Sequence, residues 1–197
     1  DFCLSRGLGD VYKRQELWRG PWAGISRTNW ILTNIDKSPK ISDAKKTQYK
    51  GEAHFLRGLY YFNLVRLFGD VPWIDKQQTA SDDLQVSRTS KDIVYQHIID
   101  DFSDAASMLP AVYENTTDIG RATKGAAFGL LAKVYLTLKR YNETLVAIDS
   151  VTNLGVYSLN RKYEWNFSDL RENGPESLFA VSYTHLRAHE TCRNLVC

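Results

Sequence analysis

The chain has 197 residues and a formal net charge of +2, from 25 basic and 23 acidic side chains. Five of the basic and three of the acidic residues lie in the first fifteen and last sixteen positions, so residues 16–181 carry 20 of each sign. This charge balance excludes the basic stripe of a nucleic-acid-binding surface. All three cysteines also lie in the two end segments, so residues 16–181 have no disulfide framework.

The two ends of the chain differ from its middle. Residues 1–15 and 182–197 show neither helical nor alternating hydrophobic periodicity. The strings at 10–15 and 182–191 resemble translated sequencing-adapter read-through, a kind of segment that is set aside before a fold is considered. We therefore expect a non-native tail over 1–15, a helical core over 16–181 that forms part of a domain, and a second non-native tail over 182–197.

The core is predicted to be mainly helical, because apolar residues recur in it at three- and four-residue spacing. Prolines and polar runs over 70–86 and 110–119 predict loops between the helices. The predicted helices run over 16–37, over 43–68, from a Thr89 or Ser90 cap to 109, from 123 to a turn at 139–141, and from that turn to 154.

The second predicted helix has apolar side chains around nearly its whole circumference. Such a helix has to be covered by other parts of the protein on several sides. Its end is well marked, because Gly69 can adopt the left-handed conformation of a helix terminus and Pro72 cannot continue the hydrogen-bond ladder.

The last two predicted helices form a hairpin with the spacing of a tetratricopeptide repeat. The eight matching residues are Phe128, Leu131, Ala132, Tyr135, Tyr141, Thr144, Ile148 and Val151. Lys139 departs from the repeat where a turn glycine is usual, and Thr144 where alanine is usual. The hairpin favours paired, solenoid-like helices over a four-helix bundle. After it, residues 155–159 and 176–181 are rich in aromatic and β-branched residues around a Gly-Pro turn, which predicts two short strands or extended pieces.

Four blocks of the chain, in order, resemble the SusD/RagB family, the surface glycan-binding lipoproteins of Bacteroidetes nutrient-uptake systems. They lie at 51–73 (GEAHFLRGLYYFNLVRLFGDVPW), at 120–136 (GRATKGAAFGLLAKVYL), at 140–141 with 155–159, and at 175–179 (PESLF). The resemblance implies a tetratricopeptide-like, α-solenoid framework with short β segments near the C-terminal end. It also implies that this chain is an internal fragment of a longer protein.

No pattern for catalysis, cofactor or metal binding is found in the core. Asp100 and Asp101 are adjacent, as are Asp82 and Asp83, and neighbours on a helix point about 100° apart rather than forming an acid/base pair. His54 and His97 lie within predicted helices, where structural roles are expected. In the C-terminal tail, His185, His189 and Cys192 have a spacing that suits zinc, but no fourth ligand is evident. We predict no enzyme, no cofactor and no metal.

Aromatic residues beside loops are the candidate glycan contacts, because sugar rings present apolar C–H faces to aromatic rings while their hydroxyl groups form hydrogen bonds. Trp73 and Asp75 follow the second helix, and Tyr163 and Trp165 form a second, weaker set. The alternative for Trp73 is that it closes the end of a core beside Pro72. Trp18, Trp22 and Trp30 are expected to be packing residues.

The family resemblance implies a complete protein at the cell surface, attached to the outer membrane by a lipid anchor that is missing from this fragment. Such a protein captures an oligosaccharide or polysaccharide and passes it, uncleaved, to a SusC-like TonB-dependent transporter. Nucleic acid is not an expected partner. The alternative is a tetratricopeptide-type scaffold that binds a protein or peptide.

Overall fold

The computed structural model describes residues 2–79, 85–118, 120–167 and 174–180. Its helices are α1 (Phe2–Asn34), α2 (Asp43–Phe68), α3 (Lys91–Met108), α4 (Lys124–Thr137) and α5 (Tyr141–Asn153). Short 3-10 helices lie at Ile35–Lys37, Thr116–Asp118 and Tyr163–Phe167. Within these described ranges the mainly helical prediction is confirmed.

The observed helices follow the predicted bounds closely except at the first of them. α1 begins at Phe2, well before the predicted start at Glu16. Residues 2–15 lack an apolar stripe but contain no proline, so the backbone hydrogen-bond ladder can continue through them. The non-native origin of the segment 1–15 stays a prediction, and the segment 182–197 lies outside the described residues.

The chain divides into two compact units, one up to Ala105 and one from Ala106. In the first unit α2 packs against α1, and the ring of Phe102 in α3 lies beside Phe55 and the backbone of Gly58. The largest fully buried apolar side chains of this unit are Ile25, Phe55, Tyr61, Phe62, Leu64, Val71, Val94, Ile98 and Phe102. α2 supplies four of these nine side chains and is covered by α1 and by Phe102 of α3, as the predicted covering on several sides requires, whereas Leu67 and Phe68 at its end are 55% and 36% exposed.

The loop after α2 is tied at both of its ends. Gly69 ends the helix with φ = 71° and donates its N–H to the Val65 carbonyl at 3.0 Å, as predicted for a left-handed terminus. The Asp70 carboxylate accepts from the Lys91 N–H at 2.8 Å, at the start of α3. Val71 and Thr89 form an isolated antiparallel bridge. The beginning and the end of the loop are therefore held side by side.

The second unit contains the predicted hairpin of α4 and α5. The Thr123 hydroxyl caps α4 by accepting the Ala126 N–H at 3.2 Å. Lys139 forms the turn with φ = 59°, the left-handed conformation that glycine adopts most readily. α5 buries only two small side chains, Thr144 and Ala147, so its backbone can approach α4 closely.

The conformation of Lys139 yields a first prediction. Lys139→Gly should raise the free energy of unfolding by about 0.5–1 kcal/mol, because relief of the left-handed strain exceeds the added entropy of the unfolded chain. Lys139→Ala keeps the Cβ atom and should leave the stability unchanged. Urea unfolding followed by circular dichroism measures both variants. Equal stabilisation by glycine and alanine would show that the lysine side chain, not the backbone, is the source of the effect.

The two short strands predicted at 155–159 and 176–181 are not confirmed. Within the described residues 155–160 and 174–180, the two segments share one backbone hydrogen bond, from Ser158 N–H to the Pro175 carbonyl at 3.1 Å. The next N–H, that of Asn160, donates to the Glu176 carboxylate at 3.0 Å. A side chain therefore takes the acceptor position that a strand partner would need, and Pro175 and Glu176 lie in a turn closed by the hydrogen bond from the Ser177 N–H to the Gly174 carbonyl at 3.0 Å.

Candidate functional site

The backbone of the loop at 73–77 is hydrogen-bonded to side chains of α1 and α2. Asn29 donates its Nδ2–H to the Ile74 carbonyl at 2.8 Å. The Tyr61 hydroxyl accepts the Ile74 N–H at 2.8 Å and donates to the Ile74 carbonyl at 3.2 Å. Arg57 donates from Nη1 to the Asp75 carbonyl at 3.0 Å. Burial raises the pKa of Tyr61 well above its usual value, so its hydroxyl stays protonated in this role.

A buried ion pair supports this arrangement. The Arg57 guanidinium donates to both carboxylate oxygens of Asp101, from Nε to Oδ2 at 2.9 Å and from Nη2 to Oδ1 at 2.6 Å. His54 Nδ1 lies 2.8 Å from Asp101 Oδ1, and Arg57 Nη1 donates to Asn29 Oδ1 at 3.0 Å. Both charged side chains are almost fully buried, at 7% and 3% exposure. Besides bonding to each other, Asp101 is thus hydrogen-bonded to His54 and Arg57 to Asn29, the additional bonds that a buried ion pair requires.

Trp73 packs against other rings of the first unit. Its indole stacks on His97, with centroids 4.4 Å apart and planes 14° apart, and its centroid lies 4.2 Å from that of Tyr61. The Arg57 guanidinium carbon lies 5.5 Å from the same ring. The indole is half-buried, whereas the Asp75 side chain is exposed. Arg57 thus contacts both predicted residues, and their glycan contact stays a prediction.

Tyr163 and Trp165 lie in the 3-10 helix of the second unit. The Tyr163 side chain is 79% exposed, and its ring meets that of Phe167 edge to face at 5.2 Å. Trp165 is half-buried. Phe167, which is 57% exposed, was not among the glycan-contact candidates predicted from sequence. Its four-residue spacing from Tyr163 would place the two rings on the same face of a helical segment. The two exposed rings form one apolar surface.

A polar network lies beside these rings. The Glu176 carboxylate accepts from the Asn160 N–H and from the Asn166 side chain, each at 3.0 Å, and the side chains of Asn160 and Asn166 are hydrogen-bonded to each other. The backbone donor of Asn160 and then the amide of Asn166 hold the pKa of Glu176 below its usual value. The carboxylate is therefore a fixed, ionised acceptor that orients both amides.

The expected packing roles of the other tryptophans are met in part. Trp18 and Trp22 are half-buried and meet edge to face at 5.3 Å. Trp30 is 56% exposed, so the expectation of a packing role is wrong for this residue. The spacing of apolar residues in the third predicted helix predicts an inward face that includes Ile93, Val94, Ile98 and Asp101. Val94, Ile98 and Asp101 are buried as predicted, whereas Ile93 is 52% exposed.

Over the residues that the structure describes, no group of three or more histidine, cysteine, aspartate or glutamate side chains could hold a metal ion. The same residues contain no helix that is long and apolar enough to cross a membrane. The pair Asp82 and Asp83 and the set His185, His189 and Cys192 lie outside the described ranges.

A family model, a related sequence and two solved structures that match this chain all belong to one family. Residues 8–136 match the model of SusD-like proteins, described as starch-binding and associating with the outer membrane. SusD-like protein P2 of Formosa agariphila is 34% identical over 174 residues, which cover 84% of this chain and 33% of that protein.

Two solved structures share the fold. The crystal structure of a SusD-like protein from Bacteroides fragilis matches with a TM-score of 0.80 and 32% identity, over 87% of this chain and 34% of that one. A laminarin-binding SusD-like protein matches with a TM-score of 0.76 and 28% identity, over 83% and 36%. The chain spans about a third of the length of the curated relatives that it matches. With a family match over more than half of its residues, the chain belongs to the SusD-like family.

Proposed function

We propose that the complete protein captures a glycan and delivers it, uncleaved, to a SusC-like TonB-dependent transporter. The observation that carries this proposal is the likeness to a laminarin-binding SusD-like protein, with a TM-score of 0.76 and 28% identity over 83% of the chain. The family description as starch-binding supports the same substrate class. Binding without chemistry is the function proposed, with no cofactor and no nucleic acid involved.

The site geometry supports glycan binding in the second unit. Tyr163 offers an exposed ring beside the exposed ring of Phe167, and such apolar faces suit the C–H faces of a sugar. The oriented amides of Asn160 and Asn166 lie in the same segment. Aromatic rings next to fixed polar groups are the usual composition of a small-molecule site. In the first unit, the exposed Asp75 carboxylate can accept from sugar hydroxyl groups.

We place the complete protein at the cell surface, lipid-anchored to the outer membrane. The family description as associating with the outer membrane supports this location. A transporter partner follows from the same proposal, since a captured oligosaccharide too large to diffuse across the membrane needs a gated route inward.

A second candidate function is that of a scaffold that binds a protein or peptide. It is favoured by one observation, the exposed apolar stripe of α5. Tyr141, Leu145 and Ile148 follow the i, i+4, i+7 spacing and are 60%, 61% and 47% exposed. A stripe of this kind can receive the apolar face of a helix. It lies in the hairpin whose spacing resembles a tetratricopeptide repeat.

Replacement of one exposed ring tests the glycan proposal. In the complete protein, Tyr163→Ala should weaken binding of laminarin or soluble starch about three- to tenfold, because a stacked ring contributes about 0.5–1.5 kcal/mol. Isothermal titration calorimetry measures the affinities. The matched control is Tyr141→Ala, which removes another exposed tyrosine ring, 60% exposed against 79% for Tyr163, from α5 and should leave glycan affinity unchanged.

Three results would contradict this proposal. Unchanged affinity in Tyr163→Ala would remove this ring from the site. Loss of affinity in Tyr141→Ala alone would favour the α5 stripe as the binding surface. Release of shorter sugars from either polysaccharide by the purified protein would overturn binding without cleavage.

A further inference from the structure

We infer that the loop at 73–77 is a preformed polar edge for the hydroxyl groups of an uncharged glycan, with Asn29, Arg57 and Tyr61 as its positioning residues. The inference rests on the proposed function, which it deepens by naming the groups that hold one of its candidate contacts, Asp75, in place.

The first step is the density of bonds to the loop backbone. In addition to the bonds at Ile74 and Asp75, Asn29 Nδ2 lies 3.4 Å from the Lys76 carbonyl. The side chain of Gln77 is also held, because its Oε1 accepts from Asn34 Nδ2 at 2.8 Å. Three consecutive carbonyls and the Ile74 N–H are thus bonded to side chains of helices. Connecting loops normally leave many such groups to solvent.

The second step is that the positioning residues are themselves fixed. Asp101 holds the Arg57 guanidinium through two hydrogen bonds, and Asn29 is 1% exposed. The Tyr61 ring is fully buried and lies against the rings of Trp22 and Trp73. A contact residue that rests on supported side chains does not need to be ordered when a ligand binds, which preserves affinity.

The third step is what the edge presents to solvent. The side chains of Asp75 and Lys76 are exposed, whereas the backbone beneath them is bonded inward. A carboxylate accepts from hydroxyl groups, and an ammonium group donates to them. Two adjacent charges of opposite sign leave no net charge on the edge, so it suits a hydroxyl-rich, uncharged glycan better than an anionic one.

Tyr61→Phe is the sharpest test, because it removes one oxygen atom and keeps the ring. Loss of the hydroxyl oxygen leaves the Ile74 N–H without its acceptor. Amide hydrogen exchange at Ile74 should therefore accelerate at least tenfold, while exchange in the centre of α3 stays unchanged. Binding of laminarin to the complete protein should weaken at least threefold. Tyr60→Phe, on the neighbouring residue of α2, is the matched control and should change neither quantity.

The possible results separate this inference from the proposed function. Unchanged exchange at Ile74 would show that the loop is not held by Tyr61. Faster exchange with unchanged laminarin affinity would show that the fixed loop has no part in binding, although binding itself stands. If the unaltered protein binds neither laminarin nor soluble starch, the proposed function fails, and the inference of a glycan edge is overturned with it. Should Tyr61→Phe not fold, Asn34→Ala, which removes the α1 side chain that donates to Gln77 of the loop, should weaken laminarin binding, and unchanged affinity in that variant would overturn the inference.

Discussion

Alanine in place of Asp101 should lower the free energy of unfolding by about 3–5 kcal/mol, because it leaves a buried charge without its partner. Arg57 is 7% exposed, and two of its donors bond only to Asp101. In Asp101→Ala these donors face a void, and His54 loses its acceptor as well. Urea unfolding monitored by circular dichroism measures the loss.

The neighbouring carboxylate supplies the control. Asp100 precedes Asp101 in α3 but is exposed, and its carboxylate accepts a hydrogen bond from the Gln96 side chain at 3.0 Å. Asp100→Ala should change the stability by no more than about 0.5 kcal/mol. Similar losses in the two variants would contradict the claim that burial and pairing make Asp101 special.

Replacing both charged partners separates the cost of an unpaired charge from the value of the pair. The double variant Arg57→Met with Asp101→Leu leaves no buried charge, so it should recover much of the stability lost in Asp101→Ala. It should not restore the bond to the Asp75 carbonyl, because methionine has no donor. A double variant as unstable as Asp101→Ala would instead mean that the pair is worth more than apolar packing at this position.

The parts of the fold that were predictable from sequence are those set by local chemistry. The end of α2 was predicted because Gly69 and Pro72 act within one helical turn. The start of α4 followed from the Thr123 cap in the same way. Lys139 was noted as a departure from the turn glycine, and the structure keeps the glycine-like conformation there. In each case the decisive atoms lie within four residues of one another.

The parts that were not predicted depend on partners distant in sequence. Arg57 and Asp101 are 44 residues apart, and no spacing rule joins them. A signal was nevertheless present, since Asp101 lay on the predicted inward face of its helix and Arg57 lay within a helix that is apolar on nearly every side. The prediction of two strands failed for the same reason. The composition of 155–159 and 176–181 does not determine which acceptor the Asn160 N–H will bond to.

Trp73→Ala should lower the free energy of unfolding by about 3 kcal/mol, toward the lower end of tryptophan-to-alanine losses because the indole is half-buried. Its removal deletes the stack on His97 and the contact with Tyr61, and it uncovers the Arg57 guanidinium. Trp30→Ala is the matched control, as Trp30 is 56% exposed in the same unit and should cost less than about 1 kcal/mol.

Measuring glycan affinity on the same variants distinguishes the two roles considered for Trp73. A packing residue lowers stability, and it alters laminarin affinity only through the loop that it supports. Loss of laminarin binding with an unchanged unfolding midpoint would contradict the packing role and identify the indole as a glycan contact. The geometry favours packing, because two rings and a guanidinium already lie against the indole, whereas the Tyr163 ring is 79% exposed. We therefore expect Trp73→Ala to be chiefly a stability variant and Tyr163→Ala chiefly a binding variant.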